Sequence, residues 1–233
     1  RDERVDGVKR NGIIRRASVN SHNWVGALIN FKTQVDDEFA YQVGADLRFY
    51  KGIHYRRVDN LIGADGYRDF DNINYPNGFV AKVEHPSTME NIWNVFKSTD
   101  DDEKIDYHND GLVSWQGLFG QAEYVTDTYS VFVQGSVANQ GFQRVDFFRY
   151  LVSDAMHKSA KKNILGGTIK GGANFNIDAK NNVYINSGYY SKAPNFDAVF
   201  LNYDNYVTPD ADLKNEKVFG LEVGYGYRSS NLN

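Results

Sequence analysis

The stretch FAYQVGADLRFYKG, Phe39 to Gly52, alternates with a period of two. Phe39, Tyr41, Val43, Ala45, Leu47 and Phe49 fall on one side, and Ala40, Gln42, Gly44, Asp46, Arg48 and Tyr50 on the other. Successive side chains of a β-strand point to opposite faces, so the pattern reads as a strand with one apolar and one mostly polar face. The apolar side runs over eleven residues, about twice the length of an ordinary globular strand. Asp46 and Arg48 are neighbours on the polar side. A face of six apolar side chains has to be covered by something, and a face with a charge pair has to stay wet.

The same alternation recurs about seven times. It appears over residues 19–33 (Val25, Ala27, Ile29 and Phe31 against Gly26, Asn30 and Lys32) and over 112–126 (Leu118, Ala122 and Tyr124 against Gln121 and Glu123). Residues 129–147 carry it through Val131, Val133 and Val137, although Phe132 weakens the contrast. TIKGGANFNI (168–177), residues 183–191 and KVFGLEVGYGYR (217–228) complete the set. The polar stretches TQVDDE (33–38), TDT (126–128) and DAKNN (178–182) join successive strands with the Asp, Asn and Thr chemistry of tight turns. The other connections, near 53–111, 149–166 and 193–214, are long and hold all four prolines. The expected fold is all-β: an antiparallel up-and-down meander with one tight end and one elaborate end. Within the first long connection, TMENIWNVF puts Met89, Ile92, Trp93 and Phe96 at helical spacing, which predicts a short amphipathic helix.

Composition narrows the function classes. The 233 residues include 16 Tyr and 15 Phe, and only 4 Pro against 21 Gly, a balance that favours extensive β-structure. A net charge of −4 without basic runs gives no reason to expect a nucleic-acid partner. The absence of cysteine excludes disulfides, thiolate metal sites and cysteine nucleophiles. No apolar run is long enough for a transmembrane helix, and the opening RDERVDGVKR is not a signal peptide.

Two environments account for the alternation. In a soluble sandwich the apolar face packs on a second sheet. In a transmembrane barrel it faces lipid while the polar face lines a lumen, with short periplasmic turns and long extracellular loops. Strand length, the asymmetry of the connections, and aromatics near strand ends (Phe39, Tyr41, Phe49, Phe219, Tyr225, Tyr227) favour the barrel. Glycines inside strands, such as Gly44, Gly171 and Gly224, fit a curved wall whose neighbouring aromatics cover them.

The runs HNWVGALINFKTQVDDEFAYQVGADLRFYKGIHYRRVDNLIG (22–63), GQAEYVTDTYSVFVQGSVANQGFQRVDFFRY (120–150) and TIKGGANFNIDAKNNVYINSGYYSKAPNFDAVF (168–200) resemble the barrel of TonB-dependent outer-membrane receptors of the Bacteroidetes type. P-x-F after an aromatic strand and L-K-N-E before a G-Y-x-Y-R strand are its most specific parts. The resemblance covers the chain from about residue 12 onward. It implies location in the cell outer membrane, contact with outer-membrane lipid, a plug domain inside the barrel, partnership with TonB and uptake of a nutrient. No segment of residues 1–233 reads as the plug, and seven strands are too few to enclose one, so the expectation is a section of a larger barrel domain.

On that reading Lys32, Asp46, Arg48, Glu123, Lys170, Glu222 and Arg228 face the lumen, where they either hold the plug and line a substrate path or pair across strands to stabilise a wet wall. The loop aromatics Tyr67, Tyr75, Trp93, Tyr203 and Tyr206 are candidates for stacking on a ligand; the competing reading is a small core within the loops. The acidic run 100–103 lacks the spacing of a calcium loop, and the five histidines lack paired metal spacing, so no metal or other cofactor is expected. No nucleophile–base set suggests an enzyme. The alternative function is that of a soluble β-rich protein recognising carbohydrate or a protein partner through its aromatic loops.

Overall fold

A computed structural model describes residues 3–5, 8–10, 13–86, 99–200, 209 and 212–229, with side chains from residue 13 onward. In chain order the strands are β1 (Glu3–Val5), β2 (Val8–Arg10), β3 (Arg15–Gln34), β4 (Phe39–Asn60), β5 (Tyr67–Asp69), β6 (Phe79–Ala81), β7 (Lys104–Val125), β8 (Tyr129–Asp146), β9 (Lys162–Asn176), β10 (Asn181–Lys192) and β11 (Glu216–Tyr227). One seven-stranded sheet runs in the order β11–β10–β9–β8–β7–β4–β3, every pair antiparallel, and β1–β2 and β5–β6 are separate ribbons. The sheet is open, with β3 and β11 paired on one side only. Among the described residues the helical content is one short helix, α1 (Phe196–Val199), and two 3-10 turns.

The three tight turns share one device, in which the side chain of an early turn residue accepts backbone N–H groups ahead of it. Asp36 Oδ1 takes Glu38 and Phe39, Thr126 Oγ1 takes Thr128 and Tyr129, and Asp178 Oδ1 takes Lys180 and Asn181. At the other end the strands run further than their hydrophobic alternation shows. Residues 53–60, 104–111 and 162–166, expected as loop, belong to β4, β7 and β9, so the first long connection is 61–103. Stretches such as GIHYRRVDN lose the apolar/polar contrast, yet their ladder with β3 and β7 continues through two irregularities. One is a two-residue bulge, where Tyr55 pairs with His108 and Arg56 with Ile105, leaving Asp106 and Tyr107 unopposed, with Asp106 at φ 63°.

Register aligns the alternations of all seven strands, so one face of the sheet is apolar throughout. A single cross-strand row contains Phe31, Val43, Gly120, Gly135, Ile169, Tyr189 and Phe219. On β3 Phe31 is the last apolar residue of its face before the turn side turns polar at Thr33, whereas on β11 Phe219 is the first, next to Lys217. The upper border of the apolar band therefore falls from Val25 on β3 to Phe219 on β11, six residues over six strand-to-strand steps. The average of one residue per step, roughly 3.3 Å along the strand for every ~4.8 Å across, is an incline of roughly 35°; the fall is uneven, and on β9 Leu165 is still apolar beside the polar Asn139 of β8. Asn23, Lys51, Gln116, Asn139, Asn163, Ser191 and Lys217 stand just above that border on successive strands, and aromatics (Phe39, Tyr124, Tyr129, Phe175, Tyr227) gather at the lower one.

The band is uncovered. Val25, Ile29, Leu118, Val133, Ile169, Leu221 and Val223 are all exposed. The opposite face carries polar and small residues, with glycines under aromatic rings: a methyl on Gly44 would overlap the Phe119 ring, and one on Gly224 the Tyr184 ring. Burial is concentrated at the loop end. Val58, Leu61, Ala81 and Ile105 form one core with Ile14, Ala64, Tyr67 and Phe79, and Phe142, Val199 and Phe200 form another with Val113, Ile164, Phe196 and Leu213.

Candidate functional site

The polar face, traced from the register, brings side chains of five strands together near the loop end. Gly26, Arg48, Trp115, Gln140 and Ile164 share one row, and Trp24, Tyr50, Val113 and Phe142 the next row up. The Arg48 guanidinium lies 6.0 Å from the ring centres of both Trp24 and Trp115. Asp46 holds it through Nε–Oδ1 at 2.8 Å and Nη2–Oδ2 at 2.5 Å. The carboxylate fixes the fork, and the two indoles offer their faces to the cation, an arrangement worth about 0.5–1 kcal/mol per cation–π contact at exposed sites. Above it His22 Nδ1 meets Tyr50 OH at 2.5 Å, His54 Nδ1 meets Asn20 Oδ1 at 2.7 Å, and the two imidazoles are 6.2 Å apart. The cluster offers stacking surfaces, hydrogen-bond donors and one neutralised cation, which suits a ligand with both flat and polar parts.

The other charged candidates sit on the same face but apart from this cluster. Lys32 shares a row with Gln42, Gln121, Gln134 and Lys170, a polar stripe two rows from the turns. Lys170 and Glu222 line one hollow of about 250 Å³, opened by Gly188 and Gly220 between Phe132 and Tyr190. Tyr184 OH donates to Glu222 Oε1 at 3.1 Å. Glu123 faces Ala40 and Phe132 across its neighbours. Arg228 lies at the tight end, in a hollow with Asp127, Asp178 and Asn181.

Of the loop aromatics, Tyr67 is tied into the loop core: it packs against the Val58 cluster and its hydroxyl donates to Asp106 Oδ1 at 3.4 Å. Tyr75 packs on Phe79 with ring centres 5.1 Å apart and keeps part of its surface exposed. Trp93, Tyr203 and Tyr206, and the helix expected around Met89, lie outside the described residues. The aromatics that do cluster on the polar face, Trp24, Tyr50 and Trp115, were missed as a group in the sequence. The signal was there, because extending the alternation of residues 25–31 backwards puts Trp24 and His22 on the same side as Arg48.

Two polar clusters at the loop end read as structural. Asp69, Asp71 and Asp106 bring carboxylate oxygens within 4.8 Å of one another. Asp69 accepts the N–H groups of Asp71, Asn72 and Asp106, while Asp106 binds Arg16, Arg56 and Tyr67. Burial pushes the Asp69 carboxyl above its ordinary value. With the two arginines in place the cluster staples the loop to the bulge of β7. Beside the apolar band but above it, Lys51 pairs with Asp110 at 2.8 Å and Lys104 with Asp101 at 2.6 Å, around a buried His108 stacked on Phe147 at 4.3 Å. Burial, then the positive charge of Lys104, lowers the His108 imidazole to about 4.

Compared with known proteins, the chain matches no family model, no curated protein and no solved structure.

Proposed function

We propose that the seven-stranded sheet is part of the wall of an outer-membrane transport barrel of the TonB-dependent receptor type, with the apolar band against lipid and the polar face toward the lumen. One observation carries the proposal: the border of the exposed apolar band falls by six residues between β3 and β11, an average of one residue per strand. A membrane cuts a barrel perpendicular to its axis, so strands tilted by about 35–45° must carry their lipid-facing segments in such a staircase. A sandwich core has no such requirement, because its apolar positions follow the partner sheet.

The function follows from the two faces. Further strands pair with the free edges of β3 and β11 to close the wall, since an open sheet in lipid leaves backbone groups unsatisfied. The long connections face outside, and the Trp24–Arg48–Trp115 cluster with Tyr50 contacts the nutrient as it enters from the loop end. Lys32, Lys170, Glu222 and Glu123 line the path or hold a plug, and energy for release comes through TonB. The chain carries no catalytic role in this scheme.

Fractionating cells that express the native protein tests the reading. The expected result is recovery from the outer membrane, extraction only by detergent, and loss of ligand uptake when Trp115 is changed to Ala. Recovery in the soluble fraction as a monomer without detergent overturns it and turns attention to the exposed aromatics of a soluble binding protein.

A further inference from the structure

We infer that His22, Tyr50 and His54 form a site for a divalent transition-metal ion, Cu²⁺ above the others, on the polar face just above the Arg48 cluster. The site goes beyond the transport reading and does not depend on it, since the polar face meets water whatever covers the apolar one. Sequence spacing hides it, because the two histidines stand on different strands and register alone brings them together.

The ladder of β3 and β4 pairs His22 with Gly52 and Asn20 with His54, so the imidazoles are diagonal neighbours on one face, with ring centres 6.2 Å apart. Gly52 lies between Tyr50 and His54 and leaves the space that their donors use. A methyl there would stand 2.7 Å from Tyr50 Oη and 2.9 Å from His54 Nε2, so a hydroxyl and a ring nitrogen lean over the same spot. His22 Nδ1 joins them through its 2.5 Å contact with Tyr50 OH. Gly52 is buried, Tyr50 and His54 are half-buried and His22 is exposed, so an ion arrives from the wet side.

The state of each donor follows from its partner. The Asn20 side-chain oxygen only accepts, so His54 Nδ1, 2.7 Å away, carries the ring hydrogen and Nε2 keeps its lone pair. Metal-binding histidines are oriented in this way, by a partner that takes the N–H of the other nitrogen. Tyr50 OH donates to His22 Nδ1 in the empty site. When the ion binds, the Tyr50 O–H bond breaks, an oxygen–metal bond forms and the proton leaves to bulk water, while both imidazoles bind neutral.

Donor type and spacing select the metal. Imidazole suits copper, zinc, iron and nickel, and Cu²⁺ heads the affinity order of the divalent ions. Donors about 2.0–2.1 Å from an ion stand about 2.9 Å apart at a right angle and about 3.4 Å apart at a tetrahedral one. Tyr50 and His22, at 2.5 Å, reach the right angle with the smaller movement, which favours tetragonal Cu²⁺ over Zn²⁺. Charge around the site is mixed: Arg144 acts on His54 as a cation, and Asp110 and Asp197 act as anions.

Titrating the native protein, first stripped with a chelator, with copper(II) chloride tests the assignment. One Cu²⁺ per chain should bind with release of one proton, a visible phenolate-to-copper absorption band and nitrogen splitting in the electron spin resonance spectrum. Zinc chloride should bind more weakly. Asn20→Ala, which frees the His54 ring but removes no donor, should weaken Cu²⁺ about tenfold or more. Tyr50→Phe keeps the ring and should abolish the band, with the melting temperature of the metal-free protein unchanged. Copper bound without the band, a band that survives in Tyr50→Phe, or an unchanged affinity in His54→Gln overturns the site. Zinc bound as tightly as copper overturns the choice of metal. None of these outcomes bears on the membrane reading, which fractionation decides.

Discussion

The turn-side and loop-side halves of the same seven strands solve opposite problems. Between the tight turns and the border residues Asn23, Lys51 and Gln116, the strands bury almost nothing, and Val133, Ile169 and Leu221 point away from the sheet with no layer over them. Above that border the strands continue, and loops cover both their apolar and their charged residues: Phe142 is 1% exposed and Asp59 2%. The upper half gains stability from packing inside the protein. The lower half has cross-strand hydrogen bonds and pairs but no core, so its apolar face depends on what surrounds the protein.

That contrast breaks most visibly at Phe142, the largest fully buried side chain among the described residues. Phe142→Ala removes the centre of the cluster with Val199, Phe200 and Phe196, and should cost about 3–5 kcal/mol. The loss should be local, because the cluster fastens α1 and its loop to β8. Limited proteolysis should cut near residues 193–200 first, while the ladder of β3, β4 and β7 keeps its hydrogen-exchange protection. Simultaneous loss of all seven strands would mean that the loop end and the wall form one cooperative unit.

The lower half breaks in the opposite sense. Val133 points out of the apolar face and its neighbour Gln134 out of the polar one. In a lipid-embedded wall Val133→Arg costs about 2–4 kcal/mol near the bilayer midplane, whereas Gln134→Arg on a wet face costs little. Urea titration of both variants folded into lipid vesicles measures the difference. In a soluble protein Val133, already 53% exposed, would accept arginine as readily as Gln134 does, so equal values for the two variants would sink the membrane reading.

The halves also differ in how plainly their sequence shows them. In the lower half one physical rule acts: every second residue lies on the one exposed apolar face, so Phe39 to Phe49 or Phe219 to Tyr227 alternate cleanly and the meander is legible. In the upper half the alternation is overwritten, because His54, Arg56 and Asp59 take their positions from partners in other segments: Asn20, Asp106 and Arg15. Partners 34 to 50 positions away leave no local periodicity, which is why 53–60 and 104–111 look like loop. The bulge at Asp106 lacks the glycine that usually marks such a backbone. The incline of the band was equally hidden, since it is a property of register across strands and not of any one of them. Charged residues of the polar face were legible by parity; the meeting of Arg48 with Trp24 and Trp115 was not, because it needs three strands in register.

In the histidine range, acid should act on the upper half. His108 lies in the part of β7 above the apolar band and is held neutral, its imidazole lowered from 6.5 to about 4. Between those values the unfolded chain binds a proton that the folded one refuses, so this contribution to stability is complete above about pH 6.5 and falls as the pH drops toward 4. The loss is on the order of 2 kcal/mol. Exchange protection around residues 99–110 should decline over that window, and His108→Gln should flatten the decline. Protection of β9–β11, which contain no histidine, should not change.

The smallest effect expected concerns the Arg48 cluster, and it separates structure from recognition. Arg48 is half exposed, and its ion pair with Asp46 is open to water, so the pair itself contributes less than about 1 kcal/mol. Arg48→Lys keeps the charge and loses the planar fork that Asp46 holds between the indoles. Stability should therefore barely move, while the fluorescence of Trp24 and Trp115 shifts as the guanidinium leaves. If the cluster only stiffens the wall, ligand affinity follows stability and is also unchanged. If it positions the indoles for a ligand, affinity falls several-fold with the melting temperature intact, because a site built on stacking needs its rings held and not merely present. A drop in stability as large as that of Phe142→Ala would instead place Arg48 among the supports of the loop end, and would show that the two halves are joined through it.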